Sequence, residues 1–241
     1  MLVKTQGIVL KSIKYGETSL IVDIFTEALG LRKYIVSGVR KKNARIGASL
    51  LQVMSHVEIV AYEREGKDLN RLTEIRSSVV YQSIPLDIHK GAVGLFMAEI
   101  AQKTLREAEA NQPLFQFLSS SFAHLDRHTG NVANLPLSFL LEFSGFLGFL
   151  PESDPDEKEL FFDLKNGVFC IHQPMHAYFL DITYSKILYL LLNAQFEASH
   201  TIPLKVEQRR YLLAKLLDFY RLHIENFPTI NSHLILQEIL G

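Results

Sequence analysis

The stretch GIVLKSIKYGETSLIVDIFTEALGLRKYIVSGVR, residues Gly7 to Arg40, decides the fold. Its β-branched and aromatic residues come in short runs, broken at Tyr15-Gly16, Leu29-Gly30 and Ser37-Gly38, where glycine suits a turn. That pattern is the grammar of strands, not helices. Working outward, KKNARIGASL, 41–50, reads as a basic connection. LQVMSHVEIVAYERE, 51–65, and KDLNRLTEIRSSVVYQ, 67–82, read as further strand-like runs turned at Glu65-Gly66-Lys67. Roughly five strands in so short a segment close most economically into a small curved barrel, of which the OB-fold is the common form and an SH3-like barrel the alternative.

After Pro85 the period changes from two to about 3.6. LDIHKGAVGLFMAEIAQKTLREAE, 86–109, sets Ile88, Val93, Phe96, Ile100 and Leu105 on one stripe, with Lys103 and Arg106 near the end where a helix favours cations. Further helices are predicted at Pro113 to Arg127, Leu135 to Leu150, Thr183 to Gln195, Leu204 to Ile224 and Asn231 to Leu240. PESDPDEKELFFDLKNGVFCIHQPMHAYFL, 151–180, interrupts them with prolines, an acidic cluster and an Asn166-Gly167 turn between aromatics, which predicts a loop carrying a small hairpin. The expected fold is therefore α+β and multidomain: a five-stranded OB-type barrel over 1–80, then a mainly helical domain over 81–241 with an inserted hairpin at about 151–180.

Charge divides at the same place. Residues 1–80 hold thirteen Lys and Arg against eight Asp and Glu, a net of +5, and the remainder carries −6, so the overall −1 conceals a basic module joined to an acidic one. A local basic field attracts polyanions, because each neutralised phosphate releases condensed counterions. A solvated mixed surface with no ligand is the plainer reading of the same charges. The N-terminus has Lys4 and Lys11 among its apolar residues and so no signal-peptide core. The longest apolar stretch, Leu135 to Leu150, contains Glu142 and is too short for a membrane helix, so it reads as a buried core helix.

The common signatures of hydrolases and nucleotide enzymes, GxxxxGK[ST], GxSxG, HExxH and GxGxxG after a strand, are missing, which argues against an enzyme. His172 and His176 have helical metal-ligand spacing, but Pro174 between them makes the segment extended. Asp154, Asp156, Glu157 and Glu159 lack the pattern of a calcium loop and read as a solvated acidic loop. Cys170 is the sole cysteine, so no intrachain disulfide and no cysteine-rich zinc site can form.

The positive signal lies in the barrel. Arg32 and Lys33 enter one strand-like run, Arg40, Lys41, Lys42 and Arg45 crowd the following connection, and Lys4, Lys11 and Lys14 precede them on neighbouring runs, with Tyr15 and Tyr34 interleaved. OB-folds that hold single strands combine a basic groove with aromatic platforms. Tyr34 and Phe25 also read as barrel core. Four cations in six residues repel one another, which favours a phosphate-binding role for Arg40 to Arg45. A docking module for a protein partner is the alternative from another class.

Residues 7–62, from GIVLKSIKYGETSLIVDIFTEALG through SGVRKK to LLQVMSHVEIVAY, resemble the N-terminal signature of the RecO family of bacterial recombination mediators. LLEFSGFLGFLP, 140–151, and PTINSHLILQEIL, 228–240, continue the likeness more weakly. The resemblance implies an OB-fold followed by a helical domain. It also implies a non-enzymatic cytoplasmic, nucleoid-associated protein that binds single- and double-stranded DNA and anneals strands. Its implied partners are RecR, in some bacteria RecF, and the acidic tail of single-strand-binding protein, RecA being loaded as the outcome. Carried onto this sequence, the basic surface falls on Arg32, Lys33, Arg40, Lys41, Lys42 and Arg45, with Lys4, Lys14 and Tyr15 added by strand order. Arg209 and Arg210 could extend it, though an exposed helix face is the simpler reading. The tail pocket is not located, since Phe139, Phe143, Phe146 and Phe149 are equally good core residues.

In one respect the chain departs from the family pattern. Many members follow the LGFLP segment with a four-cysteine zinc module, where this chain has Cys170 alone. A closed structural site of that kind needs four thiolates, so zinc is expected to be absent, with packing around Phe161, Phe162 and Phe169 in its place. Elemental analysis of purified protein is expected to find no stoichiometric zinc; one equivalent per chain would contradict this.

Overall fold

A computed structural model describes residues 1–39, 46–63, 67–106, 109–153 and 160–241. Arg40, Lys41, Lys42 and Arg45, the Glu65-Gly66 turn, and the acidic residues Asp154, Asp156, Glu157 and Glu159 lie outside the described residues. The chain divides into two compact units, Met1–Leu86 with Ala98–Arg127, and Asp87–Met97 with His128–Gly241.

In the first unit, β1 (Leu2–Tyr15), β2 (Ser19–Thr26), β3 (Gly30–Val36), β4 (His56–Tyr62) and β5 (Leu69–Ser77) form a closed barrel in the order β1-β2-β3-β5-β4. β1 pairs with β4 from Leu2↔Tyr62 to Ile8↔His56 and with β2 from Gly7↔Thr26 to Tyr15↔Ser19, turning between them at an irregularity between Val9 and Lys11. Such a bulge bends a strand and increases its twist, so one long strand serves both halves of the barrel. The seam is the parallel pairing of β3 with β5, and the result is an OB-like barrel.

Alternation fills the interior. Val9, Val22, Ile24, Tyr34, Val36, Val57, Ile59, Ala61, Leu72 and Ile75 pack inside. Phe25 is buried as expected, but it follows Ile24 and so faces outward, where its ring packs 6.1 Å from that of Phe115. The strand-like reading of Leu51 to Ser55 is corrected. Ala48–Leu51 forms a 3-10 turn that adds Leu51 to the barrel core, and Met54 takes φ 76°. There the Met54 N–H donates to the Val9 carbonyl (2.8 Å) and the Val9 N–H to that of Ser55 (3.0 Å), tying the connection to β1.

α1 (Ile88–Thr104) and α2 (Gln112–Arg127) follow. Val93, Phe96 and Ile100 are fully buried on α1 as the stripe predicts, whereas Ile88, in the first turn, is 66% exposed and Leu105 lies beyond the helix end. Near the end of α2, Asp126 accepts backbone N–H donors from Gln82 (2.9 Å), Ser83 (2.8 Å) and Ile84 (2.9 Å), so one carboxylate anchors the chain that leaves the barrel. Burial pushes its pKa up, but these hydrogen bonds outweigh burial and hold it below the ordinary carboxylate value.

The second unit contains α3 (Leu135–Phe146), α4 (Ile182–Asn193), α5 (Val206–His223) and α6 (Ser232–Ile239). Phe139 and Phe143 are core residues stacked at 5.3 Å, and Phe149 packs on Phe219, Tyr220 and His223. Tyr220 is wholly buried and donates to the Leu140 carbonyl (2.7 Å), joining α5 to α3. The predicted hairpin is present as β6 (Phe161–Asp163) and β7 (Val168–Cys170), turned at Gly167 with φ 70°. A third strand that the sequence reading missed, β8 (Phe179–Leu180), pairs on the other edge of β6. Two residues are too few to show a period, which is why this strand was illegible.

His56 lies on the outer side of β4, 4% exposed, with its ring 5.7 Å from Tyr81 and 5.9 Å from Phe122. Burial lowers its pKa from 6.5 to about 4. The neutral imidazole is therefore the folded form, and its contribution is complete above the unfolded value of 6.5. Stability should fall as pH drops from about 6.5 towards 4, by up to ~3 kcal/mol from this group. Urea unfolding between pH 7 and 4.5 is expected to show this slope, and His56→Phe is expected to flatten it; identical slopes would assign the acid sensitivity elsewhere.

Candidate nucleic-acid interface

Register assigns each charged side chain to a face. Directly opposed residues on paired strands share a face, so Lys11↔Asp23, Asp23↔Lys33 and Lys33↔Leu69 make one outward row across β1, β2, β3 and β5. A second outward row runs Ile13↔Ile21, Ile21↔Ile35, Ile35↔Arg71 and Arg71↔Tyr62, reaching β4. Lys11, Lys33 and Arg71 are exposed, and Tyr15, two residues beyond Ile13 on the same face, is 53% exposed. Along one edge of this face runs a cleft of about 980 Å³. It is lined by the cations Lys11, Arg32, Lys33, Lys67 and Arg106 and the anions Asp23, Glu63 and Asp68, a net positive wall.

Arg32 belongs to a different arrangement. It has the inward parity of Tyr34, and its Nε lies 3.6 Å from Glu63 Oε2. The same carboxylate accepts from Tyr34 Oη (2.8 Å) and Asn70 Nδ2 (2.8 Å), and Tyr34 and Asn70 are opposed residues of the β3–β5 seam. Burial, reinforced by the Glu63 hydrogen bond, raises the Tyr34 phenol above its ordinary pKa and keeps it a donor. Tyr34 is thus core, and Arg32 is held at the barrel seam beside the cleft.

Of the other predicted residues, Lys4 lies on the outer side of β1 opposite β4 and pairs with Glu58 (3.1 Å), away from Lys33. Lys14 is exposed, but its parity turns it to the face opposite Ile13 and Tyr15. The arrangement therefore brings together Arg32, Lys33 and Tyr15 from the predicted set, Arg32 lining the cleft from the seam, and adds Lys11, Lys67, Arg71, Arg106 and Tyr62. The period-two spacing of Lys11, Ile13 and Tyr15 was a usable signal; Arg71 and Tyr62 needed the register of β5 against its neighbours.

In the second unit, Arg209 donates to the Leu204 carbonyl (2.6 Å) and Arg210 to that of Gln237 (2.9 Å), contacts that tie α5 to the segments around it. An open apolar dimple lies beside them, between Leu137, Leu213 and Leu236. Cys170 Sγ donates to the His172 carbonyl (3.3 Å), His176 Nε2 lies 3.4 Å from Asp163 Oδ1, and no cluster of three or more His, Cys, Asp or Glu suited to a metal occurs among the described residues. Phe162 and Phe169 pack at 5.0 Å, and Phe162 also meets Phe219.

A closed five-stranded barrel joined to a helical region places the chain in the class of OB-like barrel proteins. The sequence family described as Recombination protein O N terminal matches residues 1–79, and that described as Recombination protein O C terminal matches residues 85–231. Over its full length the chain is 34% identical to a protein of Phocaeicola vulgatus named DNA repair protein RecO, covering all of both chains. Proteins of the same name from Bacteroides fragilis and Christiangramia forsetii are 35% and 36% identical, covering 99% and 100% of each chain. The chain belongs to the RecO family of DNA repair proteins. Among the described residues, no helix is long and apolar enough to cross a membrane.

The geometry separates seam from surface. Glu63→Ala is expected to cost roughly 2–4 kcal/mol in chemical denaturation, because it strands the buried Tyr34 hydroxyl and removes one acceptor from the Asn70 amide. Lys33→Ala is expected to stay within about 0.5 kcal/mol. Equal effects would contradict the division.

Proposed function

We propose that this chain is a non-enzymatic DNA-binding and strand-annealing mediator of recombinational repair, acting in the cytoplasm through the cationic outward face of its barrel. The observation that carries this reading is the row Lys11–Asp23–Lys33 beside a net-positive cleft, in a chain of the RecO family. Lys11 on β1 and Lys33 on β3, with Asp23 of β2 between them, would each neutralise a phosphate with the help of the cations of the cleft, and the repulsion that slows the meeting of two complementary strands falls accordingly. Arg40, Lys41, Lys42 and Arg45, in the connection that follows β3, would extend the same field. No step of this task needs bond chemistry, in keeping with the absence of catalytic motifs from the sequence.

Single- and double-stranded DNA are then the ligands. RecR, and RecF where it takes part, are the partners with which RecA is brought onto strands covered by single-strand-binding protein, whose acidic tail is a further ligand. The small sheet of the second unit is metal-free in this reading, its aromatic packing doing what zinc does in other members.

Fluorescence anisotropy of labelled oligonucleotides at several salt concentrations tests the reading. Log affinity is expected to fall linearly with log salt. Lys11→Glu with Lys33→Glu is expected to weaken binding regardless of sequence and to make the slope shallower by about 1–2. Binding to a protein partner with none to oligonucleotides, even at low salt, would overturn it in favour of an adaptor that uses the barrel only for docking.

A further inference from the structure

The phosphate-reading row accounts for only half of the outward face. Beside it lies the second row, in which Ile13, Ile21 and Ile35 sit side by side on β1, β2 and β3 and end at Arg71 and Tyr62 on β5 and β4. Ile13 is 45% exposed, and the tyrosines that bracket the stripe, Tyr15 and Tyr62, are each 53% exposed. Neither Tyr15 nor Tyr62 is needed by the barrel interior, which is filled from the opposite parity. A cavity of about 530 Å³ opens beside Tyr62 and Arg71, with Ser37 and Thr73 on its wall. From Tyr62 to Ile13 the row crosses four strand spacings round the wall of the closed barrel, an arc on the order of 19 Å.

A partly exposed apolar stripe, with Ile13 open and Ile21 and Ile35 half-buried, flanked by cations on one side, fits a ligand that is itself half apolar and half anionic along its length. Single-stranded nucleic acid has that character: its phosphates form one edge and its unpaired bases the other. Aromatic side chains provide flat faces for bases without regard to sequence, and an adjacent Arg adds a cation to the stack. A duplex offers the same phosphates but keeps its base faces stacked inside. The apolar stripe is therefore useless to duplex DNA, whereas the Lys11–Lys33 row serves both forms.

We infer that Tyr62 with Arg71, the stripe of isoleucines and Tyr15 form a nucleobase platform, which gives the barrel its preference for single strands over duplex. This inference rests on the DNA-binding reading above and deepens it. Phosphate contact and base contact are divided between two adjacent rows of one sheet, so they should be separable by mutation.

The test compares the wild-type chain with Tyr62→Ala, Tyr62→Phe and Tyr15→Ala. The probes are a labelled twelve-residue oligothymidylate, the same backbone with abasic sites in place of the bases, and a twelve-base-pair duplex. Tyr62→Ala is expected to weaken oligothymidylate binding about 5- to 100-fold. It should leave the abasic strand, the duplex and the salt slope unchanged, so unaltered duplex affinity doubles as proof of folding. Tyr62→Phe should bind like wild type, since the ring is kept, and Tyr15→Ala should show a loss of the same kind. If wild type binds oligothymidylate while Tyr62→Ala binds it equally well, or loses the same factor on the abasic strand, the platform is wrong and the phosphate-reading face survives. If wild type binds none of the three probes, both the platform and the DNA-binding reading fall.

Discussion

The barrel closes where β3 meets β5 in parallel over Lys33↔Leu69, Tyr34↔Asn70 and Ile35↔Arg71, and this short seam depends on the Glu63 carboxylate. Glu63 draws together the Tyr34 hydroxyl and the Asn70 amide, one from each strand, and holds Arg32 at its edge. These bonds do more than add stability. A slip of one residue along the seam would turn Tyr34 outward and Lys33 inward, because side-chain period in a strand is two. The middle pair of the seam fixes the register of β3 against β5 and so places Ile35 in line with Arg71 and Tyr62, while Lys33 is aligned with Lys11 through Asp23 of β2. The polar cluster at the seam is thus the constraint on which the outward face rests.

Other contacts in the same unit brace the barrel from outside. Phe25, excluded from the interior by parity, buries its ring against Phe115 of α2, and His56 does the same against Phe122. Asp126, at the end of α2, gathers the backbone of residues 82 to 84. Gly30 shows how closely this covering fits: at φ 69°, a Cβ added there would stand 2.1 Å from the Glu109 carbonyl oxygen. Helical residues cover the outer positions Phe25 and His56, whereas Ile13, Tyr15 and Tyr62 remain exposed. The outer surface of one small barrel is in this way divided between a packed part and an exposed part.

Much of this was legible in the residues. The glycine-punctuated runs of residues 7–40 are β1, β2 and β3, and the change to helical period after Pro85 marks α1. What alternation could not show was the pairing of strands distant in sequence. Tyr62 and Arg71 became neighbours of Ile35 only once β5 was placed between β3 and β4. Arg32 looked like a surface cation because its partner, Glu63, lies thirty-one residues away across the seam. The turn at Ala48–Leu51 was hidden because Leu51, Val53 and Val57 preserve an alternating pattern that the backbone does not follow.

The central claim is that ligand meets the outward face of β1, β2, β3 and β5 and not the barrel interior or the helical unit. Isoleucine methyl NMR tests it most directly, because the isoleucines divide cleanly between the two faces. On titration with a short single-stranded oligonucleotide, the account predicts shifts at the methyls of Ile13, Ile21 and Ile35, with those of Ile24, Ile59 and Ile75 in the interior nearly still. Shifts confined to isoleucines of the second unit, such as Ile187 and Ile230, or an unperturbed outer stripe under saturating ligand, would contradict it.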